Sequence, residues 1–278
     1  MNADVDTVLV IPCYNEAARL DVETLRQHAK DAPTVGFVLV NDGSSDATLG
    51  ILRGLEGDDP DHFTVIDQQP NAGKAAAVHR GMVHALRAGV TRAGYWDADM
   101  ATPLSELPRF IDILDTHPHC DIVWGARVQM LGRSIRRSAV RHYLGRVFAT
   151  LVSILLRLPT YDTQCGAKLF RVTPDVTRLF VGPFLTRWTF DVEIVARLTR
   201  LCRDRPRMPP EQCIYELPLM QWHDVEGSSV VPGDALGALA DLMRIYQNYL
   251  STTAPPLPAL PAAQADTQRL SEGEGEGA

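Results

Sequence analysis

Short, almost wholly apolar runs alternate over the first 125 residues with longer segments whose apolar positions recur at helical spacing. The runs are DTVLVIP (6–12), VGFVLV (35–40), FTVID (63–67), GYWDAD (94–99) and CDIVWG (120–125), and the helical segments lie near 16–30, 46–56, 74–88 and 104–116. A strand that is apolar at every position must be covered on both faces. The alternation therefore predicts an α/β fold with a Rossmann-like, mostly parallel sheet and helices on both sides. Ligands of such sheets sit beyond the carboxyl ends of the strands. Tyr14-Asn15-Glu16, Asp42-Gly43-Ser44 and Asp97-Ala98-Asp99 fall at those ends.

After residue 125 the rhythm breaks. A long helical pattern covers 134–157, a loop 162–168, a helix 190–202, a strand 212–219 and a last helix 234–250. From Ser251 onward the chain carries Pro255, Pro256, Pro258 and Pro261 and ends in EGEGEGA. Such composition predicts a disordered acidic tail over 251–278 behind one domain over 1–250.

With 45% hydrophobic and 22% charged residues the chain reads as globular, and 27 basic against 34 acidic side chains give a net charge of −7. That balance argues against nucleic acid as a partner. Five cysteines without CxxC spacing predict neither a disulfide framework nor a zinc site. Asp4 and Asp6 replace the basic start of a signal peptide, and the longest apolar stretch, Val147 to Leu156, falls well short of the ~20 residues of a membrane-spanning helix. A cytoplasmic location is expected. The oligomeric state stays open, a homo-oligomer included.

Charge changes the picture locally. Residues 122–161 hold seven arginines (127, 133, 136, 137, 141, 146, 157) and no acid. Arg133, Arg137, Arg141, Leu144, Phe148, Leu151 and Leu155 step by four or three, which predicts one helical stripe that starts cationic and ends apolar. An anionic head group followed by an apolar tail matches that order, so the segment reads as an amphipathic helix lying on the cytoplasmic face of a membrane.

Asp97 and Asp99 end an apolar run with the small Ala98 between them, and strand alternation predicts both carboxylates on one face. Such a pair suits a hard divalent ion, Mg²⁺ or Mn²⁺, completed by phosphate oxygens. Asn71-Ala72-Gly73-Lys74 looks like the end of a phosphate-binding Walker loop, but Gln68 and Ala75 occupy positions that need Gly and Ser or Thr. Only three lysines occur, Lys30, Lys74 and Lys168, and two of them fall inside motifs.

Eight stretches in order, VIPCYNEAARL, VNDGSSDAT, NAGKAAAVHRGM, DADMATPLSEL, GARVQMLGRSIRRS, DTQCGAKLF, RWTFDVEI and WHDVEGSSV, resemble the inverting family 2 glycosyltransferases of the GT-A fold, and within them the dolichyl- or polyprenyl-phosphate glucose synthases. The resemblance implies transfer of glucose from a nucleotide sugar, UDP-glucose, to a polyprenyl phosphate. It places Pro12, Tyr14, Asn15, Glu16, Asp42, Lys74 and Asp97 around the nucleotide, and the metal on Asp97 and Asp99. Arg127, Arg133, Arg137, Arg141 and Gln164 would meet the acceptor phosphate, with Asp162 and Lys168 catalytic beside it. Trp188, Asp191 and Glu193 would face the sugar. Ala75, Ala167 and Ser229 depart from the family pattern, and His223 is the nearest substitute for the cation that Ser229 removes. The alternative is a family 2 enzyme using GDP-mannose, UDP-GlcNAc or a hydroxyl acceptor, with Asp191 or Glu193 as general base.

Overall fold

The computed structural model describes residues 4–136, 139–204, 209–223 and 234–260. The five apolar runs form strands β1 (Thr7–Cys13), β2 (Val35–Asp42), β3 (Phe63–Gln68), β4 (Arg92–Trp96) and β5 (Ile122–Ala126). Helices α1 (Val22–Asp31), α2 (Thr48–Asp58), α3 (Lys74–Leu86) and α4 (Leu107–Thr116) connect them. Alternate side chains enter two cores: Val8, Val10, Val38 and Val40 pack on one face, and Leu9, Ile11, Phe37 and Leu39 on the other. At about 1.5–3 kcal/mol per buried side chain, covering both faces fixes the register of the sheet.

The rest of the chain completes a seven-stranded sheet in the order β3-β2-β1-β4-β7-β5-β8. β7 (Ala167–Arg171) runs antiparallel between β4 and β5, and β8 (Ile214–Pro218) pairs parallel with β5 at the edge. Because β7 is reversed, its amino end lies where β4 and β5 have their carboxyl ends. The loop 162–166 is thereby delivered to the ligand side of the sheet.

Three expectations need correction. Residues 134–136 are not helical: β6 (Ser134–Arg136) pairs with β9 (Gln221–His223) in a separate two-stranded ribbon, and α5 (Ala139–Leu156) begins after it. The stripe from Arg133 to Leu155 therefore does not lie on one helix face. Phe148 and Leu155 pack on the core, while Val147, Leu151 and Ile154 are exposed. The third correction concerns the tail. Its first residues are packed, with Ala254 and Leu257 buried and the Leu257 carbonyl accepting from Arg178, so any disordered tail starts beyond the described residues.

The remaining helices are α6 (Pro174–Leu179), α7 (Phe190–Asp204), the single turn α8 (Pro210–Cys213) and α9 (Asp234–Ile245), which widens into a π turn over Tyr246–Leu250. Among the described residues, no helix is long and apolar enough to cross a membrane.

Candidate active site

Loops from four strands converge at the carboxyl end of the sheet. Pro12 can sit in β1 because β4 pairs only with Thr7–Val10, so its missing N–H costs no ladder bond on that side. Tyr14 follows with an exposed ring. Asn15 adopts a left-handed backbone (φ 53°), and its Oδ1 accepts from Ser45 N at 2.8 Å while its own N–H donates to Ser44 Oγ at 3.0 Å. These bonds lock the 14–16 loop to the loop after β2. Glu16 does not open a helix as the sequence suggested. Its carboxylate takes two bonds from Arg19, at 2.9 and 2.7 Å, and α1 starts at Val22 under an Asp21 cap.

Asp42 is 2% exposed and is engaged by the protein's own chain. Its carboxylate accepts from Gln68 Nε2 (2.6 Å), Asn71 Nδ2 (2.9 Å), Ala72 N (2.9 Å) and Gly73 N (2.8 Å). A buried carboxylate with four donors is a stable clamp. What it clamps is the loop that aims Lys74, the first residue of α3, back at the sheet. Arg187, which sequence reasoning missed, lies over the same loop: it donates to Asn71 Oδ1 at 3.3 Å, and a Cβ on Gly73 (φ +95°) would sit 2.7 Å from its Nε.

Asp97 and Asp99 lie in a tight turn past the end of β4, not on alternating strand positions, since Met100 N donates to the Asp97 carbonyl at 3.1 Å. Asp99 Oδ1 accepts from Ala101 N at 3.0 Å. Burial and then the neighbouring Asp97 charge raise the Asp99 carboxyl above its usual range, against the pull of Lys74 and Arg19. Lys74 Nζ forms an ion pair with Asp97 Oδ1. Gly166 presses on the other side of Asp97: its carbonyl accepts from Asp97 N at 3.0 Å, and a Cβ there would overlap the whole carboxyl group, with even Oδ1 only 2.5 Å away.

Of the residues expected at the acceptor, Arg127 and Asp162 pair with each other. Arg127 reaches Asp162 through Nε (2.6 Å) and Nη2 (2.8 Å), with its guanidinium over the Trp222 ring at 5.3 Å. Arg133 donates to the carbonyl of Leu219 at 3.0 Å and to that of Pro218, so it pins β8 to β6 and is not on the helix. Arg137 and the side chain of Arg141 lie outside the described residues.

Lys168 is no surface cation. At 1% exposure its ammonium donates to the carbonyls of Thr163 (2.9 Å) and Cys165 (2.7 Å) and to Asp191 Oδ1 (2.5 Å). Asp191 Oδ1 also accepts from Tyr95 OH at 2.5 Å. Burial, then the Asp191 charge, push that phenol well above its ordinary value.

Glu193 is fully buried and holds Arg197 (2.7 Å), Tyr249 OH (2.9 Å) and Leu185 N (2.8 Å). Both acids at the head of α7 are therefore buried in ion pairs, whereas Trp188 projects, 70% exposed. Of the WHDVEGSSV motif, Trp222 and His223 are described, and His223 N donates to Ala101 O at 3.1 Å, tying β9 to the Asp97–Asp99 turn; Ser229 lies outside the described residues.

Beneath α5 a cavity of about 50 Å³ is lined by Arg127, Arg146, Phe148, Tyr161, Thr163 and Gln164, among others. Arg146 stacks on the Tyr161 ring at 3.9 Å and donates to its carbonyl at 3.1 Å. Gln164 Nε2 and Thr163 Oγ1 are buried and have no hydrogen-bond partner among the described residues.

Residues 8–177 match the model of glycosyl transferase family 2, more than half of the chain. The chain belongs to that family. A dolichyl-phosphate beta-glucosyltransferase of Trichomonas vaginalis is 30% identical over 256 residues, covering 87% of this chain and 71% of the relative. The Saccharomyces cerevisiae dolichyl-phosphate beta-glucosyltransferase is 31% identical over 269 residues, covering 87% and 74%. Among solved structures, glucosyl-3-phosphoglycerate synthase from Mycobacterium tuberculosis in complex with Mn²⁺, uridine diphosphate and glucosyl-3-phosphoglycerate superposes with a TM-score of 0.60 at 15% identity, covering 87% of this chain and 80% of that one. The fold is therefore GT-A, and this family 2 member is a glycosyltransferase.

The residues of the turn fit a divalent cation that brings anionic oxygens with it. Two carboxylates crowd one another, Asp97 Oδ1 already draws the Lys74 ammonium, and among the described residues no group of three or more His, Cys, Asp or Glu side chains forms a closed cage.

Proposed function

We propose that this glycosyltransferase moves glucose from UDP-glucose to a polyprenyl phosphate, with inversion at the anomeric carbon and dependence on Mg²⁺ or Mn²⁺. The names of the relatives support the sugar and the acceptor, and the Mn²⁺ and UDP complex of the mycobacterial synthase supports the donor and the metal. The observation that carries the acceptor class is the commitment of Asp191 and Glu193. A sugar hydroxyl would need a general base. Both acids are buried, Glu193 is bonded through both carboxylate oxygens, and Asp191 Oδ1 is held by Lys168 and Tyr95. A phosphate monoester, with a second pKa near ~6, is already nucleophilic at neutral pH and needs positioning and charge shielding instead.

The residues divide accordingly. The exposed Tyr14 ring and the Asn15 frame meet the nucleoside, while Lys74 and Arg187 flank the diphosphate. Asp97 and Asp99 would hold a divalent ion, whose chemistry would be Lewis-acid neutralisation of the charge on the departing diphosphate. The acceptor phosphate sits under α5, where Gln164 Nε2 and Thr163 Oγ1 offer unused polar atoms and Arg146 a guanidinium. Phe148 gives an apolar wall, and the exposed row Val147, Leu151 and Ile154 continues toward a membrane surface.

Arg146→Ala is expected to raise the acceptor KM by about tenfold or more, the worth of a hydrogen bond to a charged group, while the UDP-glucose KM moves less than about twofold. Steady-state kinetics with each substrate varied decide this. An equal rise in both constants would remove the cavity from the acceptor site.

A further inference from the structure

Lys74 is placed where it competes for the pair of carboxylates. Its ammonium pairs with Asp97 Oδ1, an oxygen that a metal would need. It is held there from behind: Asp42 fixes Ala72 N and Gly73 N, and α3 starts immediately after Gly73. The loop therefore has little slack with which to withdraw the side chain. The surroundings are strongly acidic.

We infer that Lys74 is a latch that bars the Asp97–Asp99 turn to a free divalent ion, so that the metal enters only together with a nucleoside diphosphate. A hard cation seeks about six oxygen ligands, and the turn offers two carboxylates, one of them already neutralised. An ion arriving alone must break the Lys74–Asp97 pair and then tolerate a positive charge beside it. A diphosphate removes both obstacles: its oxygens complete the coordination, and they give the ammonium a new partner. The two ligands then favour each other by one reciprocal factor, in the range of about 5- to 150-fold typical of coupled sites. The latch rests on the reading that a nucleotide diphosphate binds beside this turn.

The test titrates Mn²⁺ into the full chain with and without saturating UDP, with free Mn²⁺ read by electron paramagnetic resonance. The wild type should bind Mn²⁺ at least about tenfold more tightly with UDP. Lys74→Met should tighten binding of Mn²⁺ alone several-fold and shrink the UDP effect, and Lys74→Arg, which keeps the cation, should not. Lys74→Gln serves as a second neutral variant, with melting curves confirming that each variant folds. If the neutral variants bind Mn²⁺ alone no better than the wild type while UDP still helps the wild type, the latch is wrong and the donor site stands. If the wild type binds no Mn²⁺ even with UDP, the donor-site reading falls and the latch with it.

Discussion

Gly166→Ala abolishes transfer without unfolding the chain. The new methyl group would occupy the volume of the Asp97 carboxyl group, so the carboxylate must swing away from Asp99 and Lys74. Displacing a reacting group by about 1 Å can cost ~100-fold in rate, and here the displaced group is half of the metal-binding pair. The expected result is a fall in kcat of at least ~100-fold, with a melting temperature close to that of the wild type because Gly166 lies in a loop at the ligand end of the sheet. Activity assays and calorimetry on the same preparation check it. A variant that keeps more than about a tenth of the wild-type rate would show that the 162–166 loop does not set the position of Asp97.

The second large effect concerns stability. Lys168→Met removes the charge that neutralises Asp191 inside the protein and strands the carbonyls of Thr163 and Cys165. Breaking one partner of a buried pair costs about 3–5 kcal/mol, because the remaining charge stays buried and unpaired. In a folded unit of this size that lowers the melting temperature by roughly 6–20 °C. Adding Asp191→Leu should recover much of the loss, since a buried pair replaced whole by apolar side chains is often neutral. Thermal unfolding of the single and double variants measures this. A single variant that melts with the wild type would place Lys168 in contact with solvent or substrate instead.

The sequence is most legible where one signal acts alone. The five apolar runs carry their own evidence for strands buried on two faces, and Val8 to Ile11 and Phe37 to Val40 divide between the cores as that pattern requires. The pairing of distant segments is far less legible. Ala-Lys-Leu-Phe in β7 is too short to announce a strand, yet insertion between β4 and β5 decides where the 162–166 loop goes. Ser134-Ile135-Arg136 continues a helical pattern, and a partner at Gln221–His223 overrides it.

The site follows the same division. Residue types mark Tyr14, Asn15, Asp97 and Asp99 at strand carboxyl ends, and the structure brings Lys74 onto Asp97 beside Asp99. Whether a charged residue meets a ligand or another side chain depends on partners that spacing does not reveal. Asp42 clamps the loop before Lys74, Lys168 is buried on two carbonyls and Asp191, and Arg127 holds Asp162. Arg146 lies between the motif stretches and Arg187 opens one of them, and it is the fold that stacks the first on Tyr161 and lays the second over the loop before Lys74.

The proposed reaction passes a hexose from a uridine diphosphate to a lipid phosphate in this crevice. Purified protein, radiolabelled UDP-glucose, Mg²⁺ and a polyprenyl phosphate in lipid vesicles put it to the most direct test, with the label then partitioned between organic and aqueous phases and the product weighed by mass spectrometry. The expected result is label in a lipid-phosphate hexose, lost with Asp99→Ala or on chelation of the metal. Label found only in a water-soluble glucoside would contradict the account.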